Sequence, residues 1–126
     1  MRIFLILSGL LGLLSVGIGA MSEHLIRPDV DAEYFRYLMT AVRYNQVHAV
    51  ALLGLAFGFG LPLADATRGR LQIAAWLMTV GTLLFSVSIY LGVSLDIIEI
   101  TYLTPVGGTL LMFAWLAIVW AGWKAR

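Results

Sequence analysis

Between Thr40 and Leu53 the chain reads TAVRYNQVHAVALL. His48 has the widest chemical reach of these residues. An imidazole titrates near neutrality, so it can carry a proton, act as a base or bind a metal. Arg43 offers a permanent cation for a carboxylate or phosphate. Tyr44 offers a hydroxyl that both donates and accepts. Tyr37, Thr40, Tyr44 and His48 recur at i, i+3, i+7 and i+11, which places them on one face of a helix. Further polar groups sit at three other places: Glu23 and His24 in GIGAMSEHL, Ser86, Ser88 and Tyr90 in LLFSVSIYLG, and Thr104 in TPVGG.

Several chemistries are poorly served by this set. The chain has two histidines and no cysteine. His24, His48 and Glu23 would make an incomplete metal site without a zinc-like spacing. Bis-histidine haem ligation needs both rings at one depth, and His24 lies nearer the surface. A Ser/His/Asp arrangement lacks an acid near His48. We therefore expect no enzyme activity, no metal and no cofactor. The net charge of +1 provides no basic patch for nucleic acid.

The elements that must position these residues follow from composition. Of 126 residues, 61% are hydrophobic and 12% are charged, too apolar for a soluble domain of this length. The charges are segregated. Ile3–Ser22, Tyr44–Ala64, Leu71–Leu95 and Ile100–Trp123 carry none. Each run exceeds the roughly 18 to 20 residues that a helix needs to cross about 30 Å of hydrocarbon. The expected fold is all-α: one membrane domain, residues 1–126, forming a bundle of four transmembrane helices with short loops. The helices are expected near residues 3–24, 32–63 (membrane part 44–63), 71–94 and 104–123. The first apolar run resembles a signal peptide but exceeds the usual 7 to 15 residues, so it reads as a retained helix.

Arg2, Arg68, Arg70, Lys124 and Arg126 flank one side, against Arg27, Arg36 and Arg43 on the other: five basic residues to three. The positive-inside rule then places both termini and the Asp65–Arg70 connection of this multi-pass protein in the cytoplasm, and the Glu23–Arg43 and Asp96–Thr104 connections outside, which in a bacterial inner membrane is the periplasm. LADATRGR reads as a tight turn broken by Pro62 and Gly69. After Pro28, Asp29 or Asp31 can cap a helix whose first turn holds Glu33. The stretch from Tyr34 to Met39 is amphipathic and aromatic, suited to the headgroup zone before the second membrane helix. Pro105 fits the first turn of the last helix. Gly54 and Gly58 form a GxxxG, expected to pack helices together, as are Gly107 and Gly108. Trp76, Trp115, Trp120 and Trp123 read as interfacial anchors.

This topology brings the four polar stretches to one outward-facing layer: Glu23, His24, Arg43, Tyr44, His48, Ser86, Ser88, Tyr90 and Thr104. Arg43 can reach the headgroups or pair with Glu23. His48 lies about 6 to 8 Å deeper, at ~1.5 Å per residue. Its plainest role is a hydrogen bond to Ser86, Ser88 or Thr104, and its sharper one is proton handling.

The same stretches resemble a known family, domain of unknown function 423, the YgdD-like small inner-membrane proteins. The resemblance rests on Gly19-Ala20…His24, on Thr40-Ala41-Val42-Arg43-Tyr44…His48-Ala49, on Leu84-Phe85-Ser86…Ser88…Tyr90, and on Thr104-Pro105-Val106-Gly107-Gly108 with Trp115. It covers essentially the whole chain. Ser22 and Val87 stand where the family usually has glycine, which implies looser packing of helices 1 and 3. Glu23 replaces a small residue. The resemblance implies a four-helix bacterial inner-membrane protein and no particular activity.

Two functions fit. The first is a structural or accessory protein whose polar layer packs helices or binds a lipid, a membrane-protein partner or a second copy. The second is a small transporter or proton-handling channel, which would have to use His48, because no carboxylate lies within the four runs.

Overall fold

The computed structural model describes residues 1–125; of Asp29 it describes the backbone alone. Arg126 and the Asp29 side chain, both used in the sequence reading, fall outside the described residues. Among those residues the fold is all helix: α1 (Arg2–Met21), α2 (Ala32–Gly58), α3 (Asp65–Thr82), α4 (Ser88–Ser94) and α5 (Thr104–Trp123). α3 and α4 are one continuous rod, Asp65–Ser94, joined by a wide turn at Leu83–Val87 in which backbone hydrogen bonds span five residues instead of four. A second wide turn, Ser22–Ile26, extends α1.

The chain therefore forms four long helices. Three are long and apolar enough to cross a membrane: Arg2–Ile26, Asp65–Ser94 and Ile98–Trp123. α2 has the length, at 27 residues, but Arg43, Asn45, Gln46 and His48 dilute its apolar character. Those polar groups are not all outside. Leu38, Ala41, Val42, Asn45, His48, Ala49, Leu52 and Ala56 form the buried stripe of α2, at helical spacing.

Successive helices run in opposite directions. At one end Phe4 meets Phe59 and Trp76, with ring centroids 5.5 and 5.2 Å apart, and the Arg70 guanidinium lies 5.0 Å over the Trp120 ring. At the other end Ser86 of the wide turn donates to the Ala41 carbonyl of α2 at 2.9 Å, and Ser88 meets Thr104 at 2.9 Å. Met1 and Lys124 thus lie at the same end. The α3–α4 rod is central: 56% of its most apolar stretch is buried, against 22% for α1 and for α5. The outer faces of α1 and α5, with Leu10, Leu13, Val16, Met112, Leu116 and Val119, are exposed and apolar, as lipid-facing surfaces are.

Several helix ends differ from the sequence expectation. α2 stops at Gly58, five residues early. Gly60 and Pro62 follow, and the residue before a proline is disfavoured in a helix. α3 starts at Asp65 instead of 71, so LADATRGR is mostly helix and the connection is Phe59–Ala64. Asp65 suits a first helical turn, where an acid complements the helix dipole. Arg68, on that turn, donates to the Phe59 and Leu61 carbonyls at 2.8 and 3.2 Å and ties the α2 end to α3. α1 with its wide turn continues to Ile26, and α5 spans 104–123 as expected. Asp31 occupies the position before α2, but its side chain makes no capping bond. α4 ends with Asp96 at φ 56°, and the Ile97 amide returns to the Gly92 carbonyl at 2.9 Å. Aspartate tolerates this left-handed position better than most residues.

The glycines separate into two groups. A Cβ on Gly107 would lie 2.3 Å from the Phe85 amide nitrogen and 2.8 Å from the Gly81 carbonyl oxygen. A Cβ on Gly81 would lie 2.9 Å from the Leu111 side chain and 3.0 Å from its backbone nitrogen. These two glycines set the approach of α3 and α5. Gly108 has ordinary space, 3.6 Å from the Phe85 ring. Gly54 and Gly58 do not pack helices within the molecule: nothing lies within 4 Å of a Cβ on either. At about 100° per residue they fall on the side of α2 opposite its buried stripe. Gly107→Ala should therefore cost about 1–3 kcal/mol, the scale of overpacking, and lower the melting temperature in detergent. Gly54→Ala should leave it level or higher, because alanine favours helix by ~1 kcal/mol.

Candidate functional site

His48 is built into two helices at once. It is buried, 5% exposed, on α2. Its Nδ1 lies 2.6 Å from the Tyr44 carbonyl oxygen one turn back, and its Nε2 lies 3.2 Å from Nε1 of Trp115 on α5. A carbonyl only accepts and an indole N–H only donates. The ring is therefore the neutral tautomer with its proton on Nδ1, and both nitrogens are occupied. His48 does not bond to Ser86, Ser88 or Thr104; those hydroxyls have nearer partners. Trp115, expected as an interfacial anchor, instead has a partner inside the molecule. It lies within α5, eight residues before its end, and its indole N–H points at the imidazole.

The other polar groups of the layer also form joints. Ser86, fully buried, holds the wide turn to α2 through Ala41. The Ser88 hydroxyl lies 3.0 Å from the Phe85 carbonyl oxygen and 2.9 Å from the Thr104 hydroxyl on α5. Asn45, 0% exposed, donates from Nδ2 to the Tyr90 hydroxyl at 3.2 Å, and its Oδ1 has no partner. Tyr44 is half-exposed and stacks on Phe85, with centroids 4.5 Å apart, and on His48 at 5.8 Å.

Three expected members stay outside the layer. Glu23 and His24 are exposed on the wide turn Ser22–Ile26, whose buried position is taken by Ser22. Glu23 pairs with Arg27 at 2.6 Å, one turn along, and this is the only ion pair among the described residues. Arg43 therefore does not pair with Glu23. It is exposed, because two residues from Asn45 lands on the far side of the helix. Val87, like Ser22, fills its place, packing against the outer core with Leu38, Ile89 and Val93.

Between α2 and α5 runs a groove floored by Phe85. Its outer part has a volume of about 540 Å³ and includes Glu33, Tyr37, Thr104, Pro105 and Gly108. Its deeper part, about 470 Å³, includes Tyr44, His48, Met112 and Trp115. The two parts share Phe85, Pro105 and Gly108. At the outer mouth the Tyr37 hydroxyl donates to the Glu33 carboxylate at 2.6 Å, and the Arg36 guanidinium lies 5.8 Å over the Tyr37 ring. The bond to Glu33 and its charge hold the Tyr37 phenol above its ordinary range, with Arg36 acting the other way.

Sequence reasoning missed Trp115 and Asn45 as members of the layer. Trp115 gave one usable signal, its distance from either end of α5. Asn45 gave another: it sits on the buried stripe three residues before His48. The joint makes a specific expectation. Trp115→Phe should leave His48 Nε2 buried without a donor. A double-mutant cycle of Trp115→Phe with His48→Ala, read by thermal unfolding, should show a coupling of about 0.6–2 kcal/mol, the range for hydrogen bonds between membrane helices. A coupling of zero would show that the two rings are independent.

Comparison with known proteins follows from the same stretches. The family described as protein of unknown function (DUF423) matches residues 18–108. The UPF0382 membrane protein YwdK of Bacillus subtilis (strain 168) is 35% identical over 126 residues, covering 98% of each chain. A UPF0382 membrane protein of Haemophilus influenzae is 30% identical, covering 98% of this chain and 95% of its own. The UPF0382 membrane protein SAB0533 of Staphylococcus aureus is 29% identical, covering 98% of each. No solved structure matches the chain. The matched residues run from the outer part of α1 to Gly108 and contain the polar layer except Trp115, and on this evidence the chain belongs to the DUF423 family.

Proposed function

We propose that this is a four-pass protein of the cell inner membrane, with both termini and the Phe59–Ala64 turn in the cytoplasm. α2 is its fourth crossing, and the polar layer lies in the outer half. In this reading the protein is not an enzyme. It is a structural or accessory protein whose layer locks the helices and whose lateral groove receives a partner or lipid.

One observation carries the reading: the layer's side chains are engaged with one another or with backbone. His48 has both ring nitrogens occupied. Ser86 and Ser88 bond across helices. A proton carrier must release and regain its proton along a path, and His48 would have to break a joint to do so. The common end of Met1 and Lys124 supports an even number of crossings, and the charge bias supports the cytoplasmic side. The bacterial relatives, named as membrane proteins, support the location.

Reconstituted in liposomes, the protein should relax a pH gradient no faster than empty vesicles. A flux present in the wild type and lost in His48→Ala would instead establish the transporter reading. The cysteine-free chain allows a direct check of orientation. With single cysteines, Asp96→Cys should react with an impermeant thiol reagent added to intact cells, and Arg68→Cys should be protected. The reverse pattern would invert the topology.

A further inference from the structure

The geometry points to the groove between α2 and α5 as the seat of one membrane glycerophospholipid with a zwitterionic phosphate–ammonium headgroup. This rests on the reading of α2 as a membrane crossing and gives its groove an occupant. Four observations carry it. The groove opens sideways between exposed apolar side chains, with Val47 on the α2 side and Met112 on the α5 side, so in a bilayer its neighbours are acyl chains. Its length fits. From Thr104 at the mouth to Trp115 at the deep end is eleven residues, about 16 Å at 1.5 Å per residue, close to half of the ~30 Å hydrocarbon thickness, the depth of one leaflet. Its walls are aromatic and smooth, with Tyr44, Phe85 and Trp115 around Gly108, which lacks the side chain that would fill the space.

The fourth observation selects the headgroup. Glu33 and Tyr37 line the mouth, the carboxylate accepting from the Tyr37 hydroxyl, and Arg36, just outside the lining, lies over the same ring. Glu33 and Arg36 are both exposed, and neither forms an ion pair among the described residues. A phosphate beside Arg36 and an ammonium beside Glu33 complement this pair within the span of one headgroup. An anionic headgroup without an amine would meet the Glu33 carboxylate unpaired.

The test is lipid retention. The full chain is reconstituted in nanodiscs of equal parts phosphatidylethanolamine and phosphatidylglycerol, extracted, and weighed by native mass spectrometry. The wild type should retain one phosphatidylethanolamine per chain, at least fivefold over phosphatidylglycerol. Gly108→Leu should abolish retention, since its Cβ meets only ordinary contact and the rest fills the groove. Gly54→Leu, on the free face, should retain as the wild type does. Glu33→Gln should keep a lipid but lose the preference. No retained lipid in the wild type, equal retention of both lipids, or unchanged retention in Gly108→Leu would overturn the assignment. So would a stoichiometric protein partner cross-linked from position 108, which would leave the accessory reading standing. A His48-dependent flux, by contrast, would remove the accessory reading while leaving lipid retention to be decided by these weights.

Discussion

The half of the molecule away from the chain termini depends on how closely the backbone of α5 approaches the wide turn in the central rod. Gly107 leaves no room for a Cβ against the Phe85 amide. That approach has several consequences. It brings Thr104 to Ser88 and Gly108 beneath the Phe85 ring. It sets the height of α5 so that Trp115 meets His48. The wide turn itself presents Ser86 to α2 while Ser88, two residues on, serves α5. An ordinary helical turn would place residues two apart about 200° from each other, on opposite sides. The central rod uses this to hold a neighbour on each flank.

Lipid supplies little hydrophobic drive for helices to associate, so close packing and hydrogen bonds between helices must do more. The molecule divides these duties by depth. Near the common end of the termini, the core is apolar and aromatic, with Phe4, Phe59 and Met78. Toward the other end, hydroxyls, an amide and an imidazole take over as fasteners. Asn45 is as fully buried as Ser86 and the least satisfied, with one amide oxygen lacking a partner. A polar group is costly to bury in this way.

Much of the architecture was legible in the sequence because a membrane allows few solutions. Charge-free runs of helix-crossing length marked all four helices, and the bounds of α5 follow from Thr104-Pro105 and Trp123-Lys124. The misses have physical causes. A wide turn inserts a residue without a composition signal, so the faces presented beyond Ser22 and Leu83 could not be read from a regular helical count. The partner of His48 is 67 residues away on another helix, and no local pattern encodes it. Glu23 found a cation one turn along before it could reach one on another helix. The GxxxG of α2 was recognisable as a motif, but its face depends on where the buried stripe falls, and that stripe is fixed by Asn45 and His48 as much as by aliphatic residues.

The polarity of α2 bears on how such a chain is made. A helix carrying Asn45, Gln46 and His48 within it and Arg43 at its edge partitions less readily into hydrocarbon alone than its three more apolar neighbours. Its partners arrive at different times. α1 precedes it, but the bonds that the Asn45 amide, His48 Nε2 and the Ala41 carbonyl make to other helices all come from the α3–α4 rod and α5. On the four-pass reading proposed above, biosynthesis places the least hydrophobic crossing second and its bonding partners third and fourth. In that order the polar side chains of α2 meet their partners on other helices only after the C-terminal half has emerged. The last helix then supplies the bond, Trp115 to His48, that latches the second in place.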